Sequence, residues 1–376
     1  MNVGRERGNQ MVFKLPIQLR QFIAVSALTA LMAGAWIGSV FAQSNQVVLQ
    51  DPGGTYGDAL RRIMYDPFAK DTGIKVVTVQ EARGGPRIKA QVDAGRTEWD
   101  VAFIFDQEVR QLSDCCLANI DYSALTPEAQ RTLDTLPQGA VRPKGIALQV
   151  IGVLMAYNKD RYSKNTPKNW ADFWNVKDFP GKRCLPGWPR FVFEAALLAD
   201  GVTKDKLYPI DMDRALKKIA QIKPSVIKWW QTNVQAPQLL LDGEADMCMA
   251  YSGRIGTLLR DEPDAPVAST WNEAFTYFDF FAIPKNSPHY DAALKLISYR
   301  MDPTRAARLA EVANVPLPSP LVYDAGNQKA RSSWPNSPEA NAGAIQWNAD
   351  YWGAKSPDGR TNEEYAQEKL NELLAK

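Results

Sequence analysis

The sequence predicts an α/β protein of two doubly wound lobes. Three observations predict it. From Gln46 onward short β-branched runs alternate with helical stretches, the pattern of repeated βα units. The strand segments are apolar at nearly every position, as in sheets covered on both faces. A second βα set begins after a long apolar run, Ile146 to Tyr157, which reads as a strand passing from one lobe to the other.

In order, Gln46–Gln50 is a short strand ending in Asp51-Pro52-Gly53-Gly54-Thr55. A helix from about Tyr56 to Lys70 closes at Thr72-Gly73, where glycine supplies the positive φ that a helix end requires. Ile74–Gln80 is a second strand, Glu81–Gly85 a loop, and Pro86–Ala94 a helix with proline at a permitted first-turn position. Trp99–Phe105 is a third strand, and Asp106-Gln107-Glu108 opens another helix. These units imply a parallel sheet. In open sheets of this kind ligands sit beyond the carboxyl ends of the strands, which places Asp51, Gly54, Thr55, Arg83 and Asp106 along one rim. The glycine pairs let backbone N–H groups approach a ligand, although each is also what a tight turn needs. No loop matches GxGxxG or a Walker P-loop.

In the second set, Asn169–Trp174 is a short helix, Gly181–Leu185 a strand and Phe191–Ala199 a helix. Asp211–Gln221 and Pro237–Asp242 add helices, and Ala245–Tyr251 is a strand that ends in Ser252-Gly253-Arg254 at a helix start. The same rule brings Trp188, Arg190, Tyr251 and Arg254 to the facing rim. Trp229-Trp230 points to opposite faces of a strand and fits core packing better than a ligand. The tail ends in an amphipathic helix, Asn362–Leu374, expected to pack on the second lobe.

Residues 1–42 read as a signal peptide. Arg5, Arg7, Lys14 and Arg20 precede an apolar run from Phe22 to Val40, and Val40-Phe41-Ala42 suits cleavage before Gln43. A retained anchor is the competing reading, since the run approaches the length of a bilayer span. Without these residues the whole-chain charge of +2 falls to about −1, because the leader carries four Lys/Arg and one Glu. No basic face for nucleic acid is indicated. Export to the periplasm allows the four cysteines to pair. Cys184 and Cys248 lie in strand-like runs and are candidates for a disulfide, whereas the adjacent Cys115-Cys116 pair is expected not to bond to itself. His289 is the only histidine, so a Ser-His-Asp triad would need it and a histidine-based zinc site is nearly excluded. No cofactor and no metal are expected.

One segment stands out. Ala274–Pro284, AFTYFDFFAIP, is a strand with a single carboxylate, Asp279, among Tyr277, Phe278, Phe280 and Phe281. A charge in apolar surroundings is costly unless something neutralises it. A cationic ligand would do so; the bland alternative is a strand end with its carboxylate in solvent.

At this point the chain resembles the extracytoplasmic solute-binding proteins of ABC importers, most of all the spermidine/putrescine-binding branch of the type II periplasmic binding proteins. The resemblance is carried by PFAKDTGIKVV, DAGRTEWDVAFI, TPKNWADFWNVKDFPGKRCLPGW, LLLDGEADMCMAYSGR, FDFFAIPKNSPHYDAALKLISYRMDP and AARLAEVANVPLPSP. It implies two lobes with a central hinge, residues 43–149 plus 279–318 and residues 150–278 plus 319–376, closing on a small-molecule solute that passes to an inner-membrane ABC permease. It also implies a monomer. Asp279 stands where the polyamine binders hold an ammonium, and Tyr277 and Tyr251 stand where they have aromatic walls. The first loop and Phe191 depart from the polyamine pattern, since a second acid is missing, while Arg83, Arg190 and Arg254 add positive charge. An amine, a zwitterionic amino acid or an opine-like conjugate fits better than a long diamine. The alternatives are an anionic solute held by arginines and loop N–H groups, or an exported carboxylate-based hydrolase. The chain lacks GxSxG and HExxH, so it is read as a binding protein and not an enzyme, and without a Tyr-Tyr pair the ferric-iron reading is set aside.

Overall fold

The computed structural model describes residues 45–81 and 84–376; the leader and Arg83 lie outside the described residues. The expected βα order appears. β1 (Gln46–Asp51) pairs in parallel with β2 (Lys75–Gln80). Between them α1 (Gly54–Leu60) and α2 (Asp66–Thr72) run on through a π-helical segment, Arg61–Tyr65. Gly73 ends α2 at φ 71°, a left-handed conformation that glycine adopts without steric penalty. α3 (Gly85–Asp93), β3 (Ala102–Phe105) and α4 (Asp106–Leu112) follow. β3 is shorter than the sequence suggests because Asp100 leaves the ladder. Its fully buried carboxylate accepts from Val48 N at 2.7 Å, Ser287 Oγ at 2.7 Å and His289 N at 3.0 Å. Both Ser287 and His289 are thus directed at Asp100, tying β1 to the start of a later helix.

The remaining strands are β4 (Val141–Arg142), β5 (Gly145–Asn158), β6 (Arg183–Pro186), β7 (Val226–Trp230), β8 (Met247–Tyr251), β9 (Val267–Ala282) and β10 (Ile345–Gln346). The larger sheet runs β10-β9-β5-β8-β6-β7, with β3 added on β9 and β4 on β5. It is mixed rather than wholly parallel as expected. β6 is parallel to β7 and β8, but β5 is antiparallel to both β8 and β9, and β3 is antiparallel to β9. The reason is topological: β5 leads out of one lobe and β9 returns to it, so the two long strands run against each other.

Helices α5 (Pro127–Leu133), α6 (Trp170–Trp174), α7 (Val192–Ala199), α8 (Met212–Ile222), α9 (Gln235–Leu241), α10 (Ser252–Asp261), α11 (Tyr290–Arg300) and α12 (Pro303–Ala313) cover the sheets. Short helices α13 (Pro320–Ala325), α14 (Gln328–Arg331), α15 (Pro338–Gly343) and α16 (Ala349–Gly353) lead to α17 (Asn362–Ala375). α17 opens with a capping box between Thr361 and Glu364, which satisfies two otherwise unpaired N–H groups, and it packs on α8 as expected. Two large apolar cores result. One gathers Val47, Leu49, Phe68, Ile146, Leu148, Phe281 and Ile297; the other gathers Ile151, Met155, Phe173, Phe193, Phe275 and Trp352. β5 and β9 contribute to both, so the fold is α/β with two lobes strung on the same pair of strands. Every residue of β5 except Asn158 is buried, which explains its unbroken apolar sequence. Trp230 is buried, its indole N–H donating to Met249 O at 3.2 Å.

Cys184 and Cys248 face each other across the β6–β8 ladder and are disulfide-bonded. Cys115 and Cys116 are also bonded, to one another, against the expectation. The turn after α4 brings the two side chains together while their Cα atoms stay 3.7 Å apart, the spacing of an ordinary trans peptide. Because the Cys184–Cys248 bond closes a loop of 64 residues, replacing both by alanine is expected to cost about 2–4 kcal/mol, measured as a lowered midpoint of guanidinium unfolding. An unchanged midpoint would mean that the bond adds nothing to the fold.

Candidate functional site

The site is built where β9 is flanked by β3 and β5. Asp279 pairs with Phe105 on one side and Gln149 on the other, and directly opposed residues on antiparallel strands project to the same face. Gln149 reaches this position because β5 is irregular there. Ala147 opposes Phe280 and Gln149 opposes Asp279, so Leu148 is an inserted residue, and a bulge of this kind re-aims the side chains that follow it. The result is an amide opposite the carboxylate.

Asp279 is 4% exposed, in mid-strand rather than at a wet strand end. Its Oδ2 accepts from Gln149 Nε2 at 2.9 Å, and its Oδ1 is buried without a hydrogen-bond partner. Burial is the main reason that its acidity is weakened, its pKa being pushed up to about 7; the Gln149 amide opposes this, the Glu108 carboxylate adds to it, and Arg190 opposes it. A carboxyl so poised is neutral or charged according to what comes to rest against it.

Around it stands an aromatic wall. Tyr277 stacks on Phe191 at 5.6 Å, Phe191 stacks on Phe275 at 5.8 Å, and Trp347 meets both Phe191 and Tyr277, at 5.6 and 6.2 Å. Phe191 caps α7 with φ 68°, a conformation uncommon for a bulky side chain and held only where packing enforces it. Burial raises the Tyr277 hydroxyl well above its ordinary pKa, and that hydroxyl also hydrogen-bonds Tyr251. Arg190 lies with its Nε 2.8 Å from Glu363 Oε1 and its guanidinium over Phe105 and Trp347 at 5.4 and 5.9 Å. Burial alone would lower its pKa; the net direction is upward because Glu363, Tyr251, Tyr277 and Asp279 together favour the cation. In this surround the indole N–H of Trp347 is buried without an acceptor, as Asp279 Oδ1 is without a donor. Buried polar atoms left unpaired in this way are costly.

The expected residues are therefore only partly gathered. Asp279, Tyr277, Tyr251 and Arg190 come together. Trp188 stands edge-on to Trp230 at 4.7 Å, and Trp230 to Tyr251 at 6.0 Å, so Trp188 belongs to the next ring outward. Asp51, with Gly54, lines a separate depression of about 250 Å³; its Oδ1 accepts from Gly53 N at 2.6 Å, which holds its own loop, and Thr55 is exposed. Asp106 is engaged by Arg142 at 2.6 Å. Arg254 is half-buried, desolvation lowering its pKa, and makes no ion pair within 4 Å among the described residues. Gln149, Tyr56, Glu108, Phe191 and Trp347 were not singled out as ligand-binding from the sequence. Gln149 left a trace, as the one amide in the apolar run Ile146–Tyr157. Trp347 left none, because only folding brings it to β9.

An acid whose pKa is raised on folding makes its stability contribution at low pH and loses it as pH rises through the folded value. For Asp279 the window runs from about pH 4 to about pH 7. Asp279→Asn is accordingly expected to stabilise the ligand-free protein at pH 8 by up to about 4 kcal/mol and to change it little at pH 4. Equal thermal shifts at both pH values would contradict a carboxyl held above its ordinary range.

Comparison with known proteins gives these residues a setting. The family model described as bacterial extracellular solute-binding protein matches residues 64–359. The crystal structure of an ABC transporter protein from Rhodopseudomonas palustris CGA009 is 61% identical, with a TM-score of 0.78, over 88% of this chain and 100% of that one. The gamma-aminobutyric acid-binding protein of Pseudomonas aeruginosa is 29% identical over 344 residues, 89% of this chain and 94% of that protein. The spermidine/putrescine-binding periplasmic protein of Escherichia coli is 23% identical over 263 residues, 68% of this chain and 74% of that protein. An α/β frame of two lobes, a buried carboxylate walled by aromatic rings, and a family match across most of the chain lead to one conclusion: the protein belongs to the bacterial extracellular solute-binding family, as a substrate-binding component of an ABC transporter that takes up a small solute and not as an enzyme.

Proposed function

We propose that the solute is a small zwitterionic amine with the charge pattern of 4-aminobutyrate, its ammonium taken by Asp279 and its carboxylate by the donors around Arg190. The observation that carries this reading is the pairing of opposites in one buried surround. Asp279 Oδ1 lacks a donor, while the Trp347 indole lacks an acceptor beside the Arg190 guanidinium. Aromatic faces beside the carboxylate favour a cation as well. A long diamine asks for a carboxylate at each end. The second acid that acts on Asp279 is Glu108, whose Oε2 already accepts from Phe105 N at 2.9 Å, and Glu194 of α7 is held by Tyr208 and Trp352 at 2.7 and 2.6 Å. A purely anionic solute would meet Asp279 as a like charge. The gamma-aminobutyric acid-binding relative adds weight to the zwitterion.

In this reading residues 43–149 with 279–318 form one lobe and residues 150–278 with 319–376 the other. β5 and β9 act as the hinge, and the closed form is favoured only as far as the solute touches both lobes. The protein works as a monomer in the periplasm after loss of residues 1–42, and hands the solute to an inner-membrane permease. A thermal-shift screen of the mature chain against 4-aminobutyrate, putrescine, amino acids, opines and organic acids tests this directly, since a ligand at a hundred times its Kd stabilises by about 2.7 kcal/mol. 4-Aminobutyrate is expected to raise the melting temperature more than putrescine; the reverse order would overturn the zwitterion.

Two further outcomes follow from the carboxylate. Asp279→Asn should weaken an amine by about 1.5–3 kcal/mol, the scale of a charge-assisted bond, as read by calorimetry. Affinity should be flat above pH 8 and fall about tenfold per pH unit below pH 7, because the bound ammonium requires Asp279 ionised and its proton must first leave. A pH-independent Kd between 5.5 and 8 would remove Asp279 from the contact.

A further inference from the structure

A buried cation without an anion stands behind the solute site. Arg300, in the last turn of α11, is 2% exposed. It makes no ion pair within 4 Å among the described residues, and its Nε and Nη1 have no hydrogen-bond partner. Its guanidinium lies 4.3 Å from the centre of the Phe281 ring, two residues along β9 from Asp279. Such a charge is expensive to keep. The C-terminal end of α11 and the aromatic face offset part of that cost, but neither explains why the position holds an arginine.

The groups between Arg300 and Asp279 do explain it. The Arg300 guanidinium acts on the Tyr56 hydroxyl, opposing the effect of burial on it. That hydroxyl is 2.5 Å from Gln149 Oε1, and Gln149 Nε2 is 2.9 Å from Asp279 Oδ2. Direction along the chain is forced from its far end. A guanidinium can only donate, so the Tyr56 O–H has no acceptor on Arg300 and turns to Gln149 Oε1. The Gln149 amide must then present oxygen to Tyr56 and nitrogen to Asp279. Asp279 is left as an acceptor at both oxygens, one filled by Gln149 and one open.

We propose that Arg300, acting through Tyr56 and Gln149, sets the polarity of the solute site by fixing Asp279 as an acceptor for a donor carried by the solute. Arg300 and Tyr56 are positioning residues; neither need touch the solute. Without them the Gln149 amide is free to turn over and offer its oxygen, for which a protonated Asp279 is the better partner, and the site would then favour an uncharged solute. Other charged and titratable groups act on Asp279 or on its immediate neighbours: Glu108 from α4, Arg190 ahead of α7, Tyr251 from β8 and Tyr277 from its own strand. None of them hydrogen-bonds to the Gln149 amide, whose partners are Asp279 and Tyr56, and only the Tyr56 side is backed by a group that cannot reverse. The proposal rests on the reading of Asp279 as the amine acceptor.

The test compares wild type with Tyr56→Phe, Arg300→Met and Arg300→Lys in the mature, ligand-free chain. The Asp279 carboxyl is followed by carbon-13 NMR between pH 5 and 9 and identified by its loss in Asp279→Asn. The titration midpoint is expected to rise by about one pH unit or more in Tyr56→Phe and Arg300→Met and to stay near wild type in Arg300→Lys, which keeps a donor-only cation. Unmoved midpoints in Tyr56→Phe and Arg300→Met would overturn the proposal. Should Arg300→Met fail to fold, Tyr56→Phe, which removes one oxygen atom, decides alone. Calorimetry with 4-aminobutyrate supplies the second readout. Tyr56→Phe should weaken binding about fivefold or more at pH 7 and recover most of it at pH 9, whereas a loss equal at both pH values would mean that Tyr56 only shapes the pocket and would overturn the relay. If wild type does not bind 4-aminobutyrate, the zwitterion reading fails while the NMR titration still judges the relay.

Discussion

The rest of the structure depends on the pairing of β5 with β9. These strands of 14 and 16 residues run antiparallel through both apolar cores. Each lobe is completed only by what they contribute. Because ladder hydrogen bonds join them along most of their length while the flanking elements differ at each end, they are continuous where the two halves are not. That makes them both the scaffold of the site and the place where relative motion of the lobes would have to be absorbed.

A single inserted residue in that pairing determines the chemistry. Had β5 run without the irregularity at Leu148, an apolar side chain would oppose Asp279 and the buried carboxylate would have no hydrogen bond at all. With it, Gln149 satisfies one oxygen and leaves the other open, the cost of burial being only partly offset. The surrounding aromatic groups show the same incompleteness: an indole donor without an acceptor, an arginine whose charge is held by Glu363 at one edge and by ring faces on the other, and Phe191 in a backbone conformation its side chain disfavours. In the proposed reading a binding protein gains from such a site, because the unpaired atoms would be satisfied by the solute and so contribute to affinity.

The network behind Asp279 extends this logic to the protein interior. Arg300, Tyr56 and Gln149 come from a helix end, a helix start and a strand bulge, far apart in sequence and joined only by the fold. Asp100 does comparable work at the other side of the same lobe. Its fully buried carboxylate gathers Val48, Ser287 and His289, using the chain's only histidine for anchoring.

The sequence by itself determined the α/β class, the order of the elements and the long strand between the lobes, and singled out Asp279 as a candidate, because apolar runs, glycine at helix ends and a lone acid among aromatic residues are local signals. Only the tertiary structure decided that the larger sheet is mixed, that Cys115 and Cys116 bond to each other, that Asp51 is occupied in its own loop and Asp106 by Arg142, and that Gln149, Tyr56, Phe191, Trp347 and Arg300 surround or support the carboxylate. Strand direction follows from how the chain crosses between lobes, and a hydrogen-bonded chain follows from register. Neither register nor crossing is written in any short window of residues; both are fixed by which long-range pairing buries both cores at once.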